Sequence, residues 1–225
     1  MRRWDRLESV LRATMINSDG KLELAAALRR RGIADARVLD AIASVPREIF
    51  VDPAYAEAAY DDMALPIACG QSISQPFVVA YMTDKLGLEP HHDVLEIGTG
   101  SGYQAAVLAR LCRQVCTIER HEALHLQAVA RFTSLDIRNI TARVGDGWAG
   151  WPEPLQFDRI IVTAAARETP QALVDQLKLG GRMIIPMGAR PAQQRLFQLD
   201  KAAEGLRKQD LLAVRFVPMV RARDS

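Results

Sequence analysis

The chain has 225 residues, 49% of them hydrophobic and 25% charged, with a net charge of +2. That length supports one compact α/β unit with a small elaboration, and the near-neutral balance excludes a strong field toward nucleic acid or an anionic membrane. Met1-Arg2-Arg3 runs into Trp4-Asp5-Arg6 instead of a continuous apolar stretch, and three cysteines make an odd count, which argues against a leader and a disulfide framework. A cytoplasmic monomer with no nucleic-acid or membrane partner is the expectation.

Residues 4 to 60 carry helical spacing. Leu22, Leu24 and Leu28 suit a helix whose last turn holds Arg29-Arg30-Arg31 and which Gly32 closes. Asp35 is placed to cap a second helix bearing Val38, Leu39 and Ile42, which stops before Pro46. Asp52-Pro53 starts a short third one. Asn17-Ser18-Asp19-Gly20 reads as an exposed turn whose Asp-Gly pair is prone to isomerise, unlike the held pair Asp146-Gly147. No strand pattern precedes Ala64 to Ile67.

From residue 93 short apolar runs alternate with helical periods. Strands are predicted at Asp93–Ile97, Val115–Ile118, Ile140–Val144, Asp158–Thr163 and Arg182–Met187, with helices at Gly102–Leu111, His121–Phe132 and Pro170–Leu177. This alternation means βαβ units and a mostly parallel sheet covered on both faces. Arg195–Leu199, a turn at Glu204-Gly205 and Leu211–Val217 complete it as an antiparallel hairpin.

The strongest signal is Glu96-Ile97-Gly98-Thr99-Gly100-Ser101-Gly102, where a strand ends and a helix opens. Glycines there permit a sharp turn and a close ligand approach, and the helix start offers free amides. The G-x-G-x-G spacing favours S-adenosylmethionine over the G-x-G-x-x-G of dinucleotide enzymes. Glu119 ends the next strand, placed to accept from two ribose hydroxyls. Asp146-Gly147 ends the third, where an aspartate can accept from an adenine amino group.

A methyltransferase must also handle its nucleophile. The fourth strand ends in Thr163-Ala164-Ala165-Ala166, which offers no side chain to take an amine proton, and Cys112 and Cys116 fall in buried-looking elements. A carboxylate acceptor needs no such device, because with a pKa of about 4 it is already ionised at neutral pH. Ser74, in Gln71-Ser72-Ile73-Ser74-Gln75-Pro76, is a candidate to donate a hydrogen bond to it; the plainer reading is a helix cap. Cys112, Cys116, His121 and His125 are spread over helix, strand and helix, so no metal site is predicted.

These residues resemble the protein-L-isoaspartate O-methyltransferase family over nearly the whole chain. The stretches that carry the resemblance are Val45–Glu48 with Phe50–Asp52, Ala64–Ile67, Gly70–Pro76, Val94–Tyr103, Gly145–Trp148, Ile161–Ala165 and Val214–Pro218. Any class I methyltransferase shares the glycine motif; Ser72–Pro76 and Arg215–Pro218 are specific to this family.

The resemblance implies a Rossmann-like class I methyltransferase sheet, mostly parallel with a C-terminal antiparallel hairpin, plus a helical N-terminal elaboration. Residues 1–75 would hold the elaboration and the active-site segment, and 76–225 the S-adenosylmethionine-binding core, as one compact unit. It further implies methyl transfer from S-adenosyl-L-methionine to isoaspartyl carboxylates in damaged proteins and peptides, with Ser74 at the active site. Cofactor contacts are implied for Gln71, Ile73, Ser74, Glu96, Gly98, Thr99, Gly100, Gly102, Glu119, Asp146 and Gly147, and substrate contacts for Ser74, Val214 and Arg215. Arg215, read as a cation in an apolar strand, requires either a substrate carboxylate or a structural one as partner. Ala166 stands where the family has proline, at the rim of the expected cleft. The alternative is an adenosylmethionine-binding module with little catalysis, acting through protein contacts.

Overall fold

The computed structural model of the chain describes residues 20–221. Helix α1 covers residues 20–30. Gly32 ends it at φ +96°, and the Ile33 amide reaches back to the Leu28 carbonyl at 3.2 Å, a Schellman ending. Asp35 caps α2 (Ala36–Ser44) by accepting from the Arg37 amide at 2.8 Å. Val45 follows in extended backbone, as a residue before proline prefers. Asp52 opens the 3-10 helix Pro53–Ala58 in the same manner, accepting from the Ala54 amide at 2.9 Å. The turn expected at Asn17-Ser18-Asp19 lies outside the described residues, and Gly20 already belongs to α1.

β1 (Leu65–Pro66) and β2 (Ser72–Ile73) form a small antiparallel ribbon apart from the main sheet. Helix α3 (Pro76–Leu86) follows. The α/β region then runs β3 (Asp93–Ile97), α4 (Tyr103–Leu108), β4 (Gln114–Glu119), α5 (Glu122–Ser134), β5 (Ile140–Val144), β6 (Phe157–Val162), α6 (Gln171–Gln176), β7 (Leu177–Met187), β8 (Arg195–Ala202) and β9 (Gly205–Ala213). The sheet order is β5-β4-β3-β6-β7-β8-β9. The first five strands in that order are parallel, and β8 is antiparallel to both neighbours.

Successive side chains point to opposite faces of a strand, and both faces of this sheet are covered. Val94, Val115, Ile161 and Ile184 join a core with residues of α1 to α5. Leu95, Ile118, Ile160 and Ile185 join a second with Trp151 and Leu173 of α6. That double burial explains why the strands read as near-continuous apolar runs.

Two boundaries differ from the sequence pattern. β7 begins at Leu177, which pairs with Phe157 before a register shift brings Arg182 opposite Arg159. Lys178-Leu179-Gly180-Gly181 carries no alternation, so its strand character comes from pairing alone. The last strand is Gly205–Ala213, not Leu211–Val217. It is an edge strand exposed along residues 205–210 and held to β8 by the ladder and ion pairs such as Arg195–Asp210 at 2.5 Å. An edge needs no apolar face, so hydrophobic period misplaced it. Residues 214–221 instead turn back past Ala165, whose amide donates to Val217 O and whose carbonyl accepts from Met219 N, both at 2.8 Å.

Candidate active site

β3 is the strand beside which the chain order reverses, so the loops leaving β3 and β6 part there, the usual crevice of an open α/β sheet. A cavity of about 440 Å³ occupies it, lined by Gln71–Ser74, Gly98–Ser101, Glu119, Gly147, Thr163, Ala164 and Val217–Val220 among others.

The motif glycines have separate physical reasons. Gly98, at φ +95°, has no room for a side chain: a Cβ would lie 2.5 Å from Thr163 Oγ1, the hydroxyl that donates to Gly98 O at 2.6 Å. Gly102, at φ +93°, would place a Cβ 2.8 Å from the Phe132 ring. It lets α5 pack against the start of α4 and does not line the cavity. The Gly100 amide donates to Glu119 Oε2 at 2.8 Å, while Glu119 Oε1 accepts from the His121 amide at 2.9 Å. Two amides thus fix this carboxylate at the cavity with lone pairs to spare. A fixed acceptor beside a glycine turn at a helix start fits the ribose and charged end of a nucleoside ligand.

Glu96 sits behind that turn, fully buried and away from the cavity lining. Its Oε2 accepts from Thr117 Oγ1 at 2.5 Å, and Thr117 shares a hydrogen bond of 2.6 Å with Thr99 Oγ1. Oε1 has no partner. Burial pushes the Glu96 carboxyl up to about 8, the Thr117 bond opposing and the charge of Glu119 adding. Where direct contact was expected, the geometry offers support of Thr99 through Thr117. Asp146 accepts from the Trp148 amide at 2.9 Å and caps the 3-10 turn Gly147–Ala149; of the pair, Gly147 reaches the cavity.

On the facing side, Ser74 lines the cavity half-buried. It is not the helix cap: Gln75 holds that place in α3 and gives no side-chain capping bond. Asp62 substitutes from a distance, its Oδ1 accepting from the Phe77 amide at 2.8 Å. Arg47, wholly buried, donates from Nη2 to the Ser74 carbonyl at 2.8 Å. Sequence reasoning missed both. The available sign was a cation inside the apolar stretch from Val45 to Val51.

Val214 and Arg215 do not line the cavity. Because the last strand ends at Ala213, Arg215 is exposed and joins no ion pair among the described residues, so the buried cation expected from the pattern does not exist. Val217–Val220 reach the cavity instead. Buried Gln194 clamps the chain just before them: its Oε1 accepts from Phe216 N at 2.6 Å and its Nε2 donates to Phe216 O at 3.1 Å. Trp148 Nε1 donates to Met219 O at 3.1 Å. Ala166 is buried, not at a rim, and its amide donates to Pro186 O at 3.0 Å.

The end of β6 offers no side-chain base for a difficult acceptor. Residues 163–166 bring no carboxylate, and the Thr163 hydroxyl is turned to backbone carbonyls. Burial pushes the thiols of Cys112 and Cys116 up to about 12 and about 11, which makes them poor nucleophiles. Among the described residues no three His, Cys, Asp or Glu side chains gather as a metal site.

Known proteins share this fold. A solved protein-L-isoaspartate O-methyltransferase, 30% identical, superposes with a TM-score of 0.79 over 88% of this chain and 65% of its own. A Plasmodium falciparum chain assigned as a protein-L-isoaspartate O-methyltransferase, in complex with S-adenosyl-L-homocysteine, is 28% identical with a TM-score of 0.77 over 88% and 97%. The protein-L-isoaspartate O-methyltransferase of Parvibaculum lavamentivorans is 57% identical over 203 residues, covering 89% of this chain and 91% of that one. The family profile of protein-L-isoaspartate(D-aspartate) O-methyltransferases matches residues 19–224. With the glycine turn, Glu119 and Ser74 gathered around one cavity, the chain belongs to the protein-L-isoaspartate(D-aspartate) O-methyltransferase family.

Proposed function

We propose that this chain transfers a methyl group from S-adenosyl-L-methionine to the free carboxylate of L-isoaspartyl residues in damaged proteins and peptides, as a monomer. The observation that carries the reading is one cavity with a fixed nucleoside acceptor, Glu119, on one side and the Ser74 hydroxyl on the other. The cofactor supplies a methyl carbon made electrophilic by a sulfonium. Glu119, Thr99, Gly98, Gly100 and Gly147 hold its nucleoside end, with Asp146 at the adenine and Gln71 and Ile73 on the opposite wall. Glu96 and Gly102 serve the same binding from behind, one through Thr117 and Thr99 and the other by letting α5 close on the turn.

The Ser74 hydroxyl donates a hydrogen bond to the acceptor carboxylate and aims one oxygen at the methyl group. With a pKa of about 4 that carboxylate is ionised at neutral pH, so no general base is required. Alignment does the rest, an effect that can contribute roughly 7–11 kcal/mol. Val217–Val220 form the wall along which the substrate peptide lies, with Val214 and Arg215 meeting its flanking residues outside the cavity. The ester formed carries a better leaving group than the carboxylate, so attack of the next backbone amide nitrogen on its carbonyl carbon expels methanol and closes a succinimide without the enzyme.

The test is an isoaspartyl peptide against its aspartyl twin, with methyl-labelled cofactor and quantification of base-labile label. Label on the isoaspartyl peptide alone is expected. Cofactor binding with no transfer to either peptide would leave only the binding-module reading.

A further inference from the structure

Ser74 stands where no regular element fixes it. β2 ends at Ile73, α3 begins at Pro76, and Gln75 contributes no capping bond. Two polar side chains from residues 47–62 take over. Arg47 donates from Nη2 to the Ser74 carbonyl and from Nε to the Ala59 carbonyl, both at 2.8 Å. Its guanidinium lies 4.8 Å from the centroid of the Tyr103 ring, which lines the same cavity. Asp62 holds the other side. Its Oδ1 accepts from the Phe77 amide at 2.8 Å, its Oδ2 from Gln75 Nε2 at 3.0 Å, and its backbone carbonyl from the same nitrogen at 2.8 Å. Arg31 pairs with the Asp62 carboxylate from the outer side.

Arg47 is an expensive way to fill space. It is 0% exposed and ion-pairs with no carboxylate among the described residues, its guanidinium being met by the Ser74 and Ala59 carbonyls and the Tyr103 hydroxyl. An apolar side chain of similar volume usually packs such a site at lower free energy. What an apolar residue cannot supply is a directed bond to the Ser74 carbonyl.

We propose that Arg47 and Asp62 are positioning residues for methyl transfer: they fix the peptide groups leaving Ser74 and entering Phe77, so that the Ser74 hydroxyl is presented to the acceptor. This inference rests on the role of Ser74 given above. It states that both residues act through Ser74, not through folding or cofactor binding.

A kinetic double-mutant cycle on the full chain separates these roles. Asp62→Asn keeps shape and one acceptor but loses the charge, and Arg47→Lys keeps charge but loses the rigid fork that serves two carbonyls. Each is made alone and with Ser74→Ala, and kcat on an isoaspartyl peptide is read beside adenosylmethionine affinity. Each single variant is expected to lower kcat by roughly 5–20-fold with affinity unchanged; added to Ser74→Ala, either should cost less than about twofold more. Equal losses in both backgrounds, or a weakened affinity that accounts for the loss, would overturn the proposal. Should Arg47→Lys fail to fold, Asp62→Asn alone decides. Undiminished kcat in Ser74→Ala itself would remove the underlying role of Ser74 and the proposal with it, whereas a slow Ser74→Ala with additive losses refutes the proposal alone.

Discussion

The two walls of the cavity are held in different ways. The wall proposed to hold the nucleoside is the ends of β3, β4 and β6, and its bonds run between the turns that leave neighbouring strands: Gly100 to Glu119, Glu119 to His121, Thr163 to Gly98. The wall proposed to face the acceptor is made of Ser74 and Val217–Val220, segments outside the main sheet that single side chains tether, Arg47 and Asp62 for one and Gln194 for the other. A wall made from strand ends inherits the rigidity of the sheet. A tethered wall can be altered through side chains that do not line the cavity, Arg47, Asp62 and Gln194, while the strand ends stay as they are.

If the walls are separable, substitutions should divide cleanly between them. The largest effect is expected at Ser74. Ser74→Ala should lower kcat by about 10–1000-fold, as for the loss of one transition-state hydrogen bond, with calorimetry showing unchanged adenosylmethionine affinity. Full activity would mean the hydroxyl has no part in the reaction. Glu119→Ala should show the reverse: cofactor affinity weaker by roughly 1–3 kcal/mol and kcat restored at saturating cofactor. A kcat that stays low at saturation would join the two walls functionally.

Glu96 is a buried carboxyl that supports the proposed nucleoside wall from behind, through Thr117 and Thr99. Its folded-state pKa is raised from 4.5 to about 8. Between those values the unfolded chain has lost the proton and the folded chain keeps it, so stability falls as pH rises through this window and levels off above it. The slope approaches about 1.4 kcal/mol per pH unit for one proton. Glu96→Gln should flatten it, seen as a Tm that gains on the parent from pH 5 to pH 8. An unchanged pH slope would show that Glu96 is ionised in the fold. The smallest effect is expected at Gln194. Gln194→Ala frees Phe216 and should raise the peptide KM by a few fold, in line with about 0.5–1.5 kcal/mol for a lost hydrogen bond, with cofactor affinity intact.

The same division decides what could be read from the chain alone. Strand ends, glycine spacing and the acid at Glu119 are local patterns, so the sheet and the nucleoside wall were legible. Ser74 was singled out, yet as a lone hydroxyl it could not be told from a cap, because the residue that relieves it of capping, Asp62, is 12 positions away and bonds through space. Glu96 and Gly102 read as ligand contacts because they lie inside the motif, whereas their side-chain space is taken by Thr117 and Phe132. Arg215 was misjudged by the error that misplaced β9. A polar edge strand leaves no hydrophobic signature, and the apolar residues after it were counted in its stead.

That polar edge has a consequence for a protein whose proposed substrates are damaged polypeptides. Extended peptide segments add readily to any open strand, and a sheet that accepts them seeds its own aggregation. β9 closes the sheet with Arg207, Lys208 and Asp210 exposed, and Lys208 Nζ lies 3.9 Å from the centroid of Phe197 on the neighbouring strand. An apolar chain docking there must strip water from charges of both signs. On the β9 side the sheet therefore turns away the kind of polypeptide that the crevice is proposed to take in.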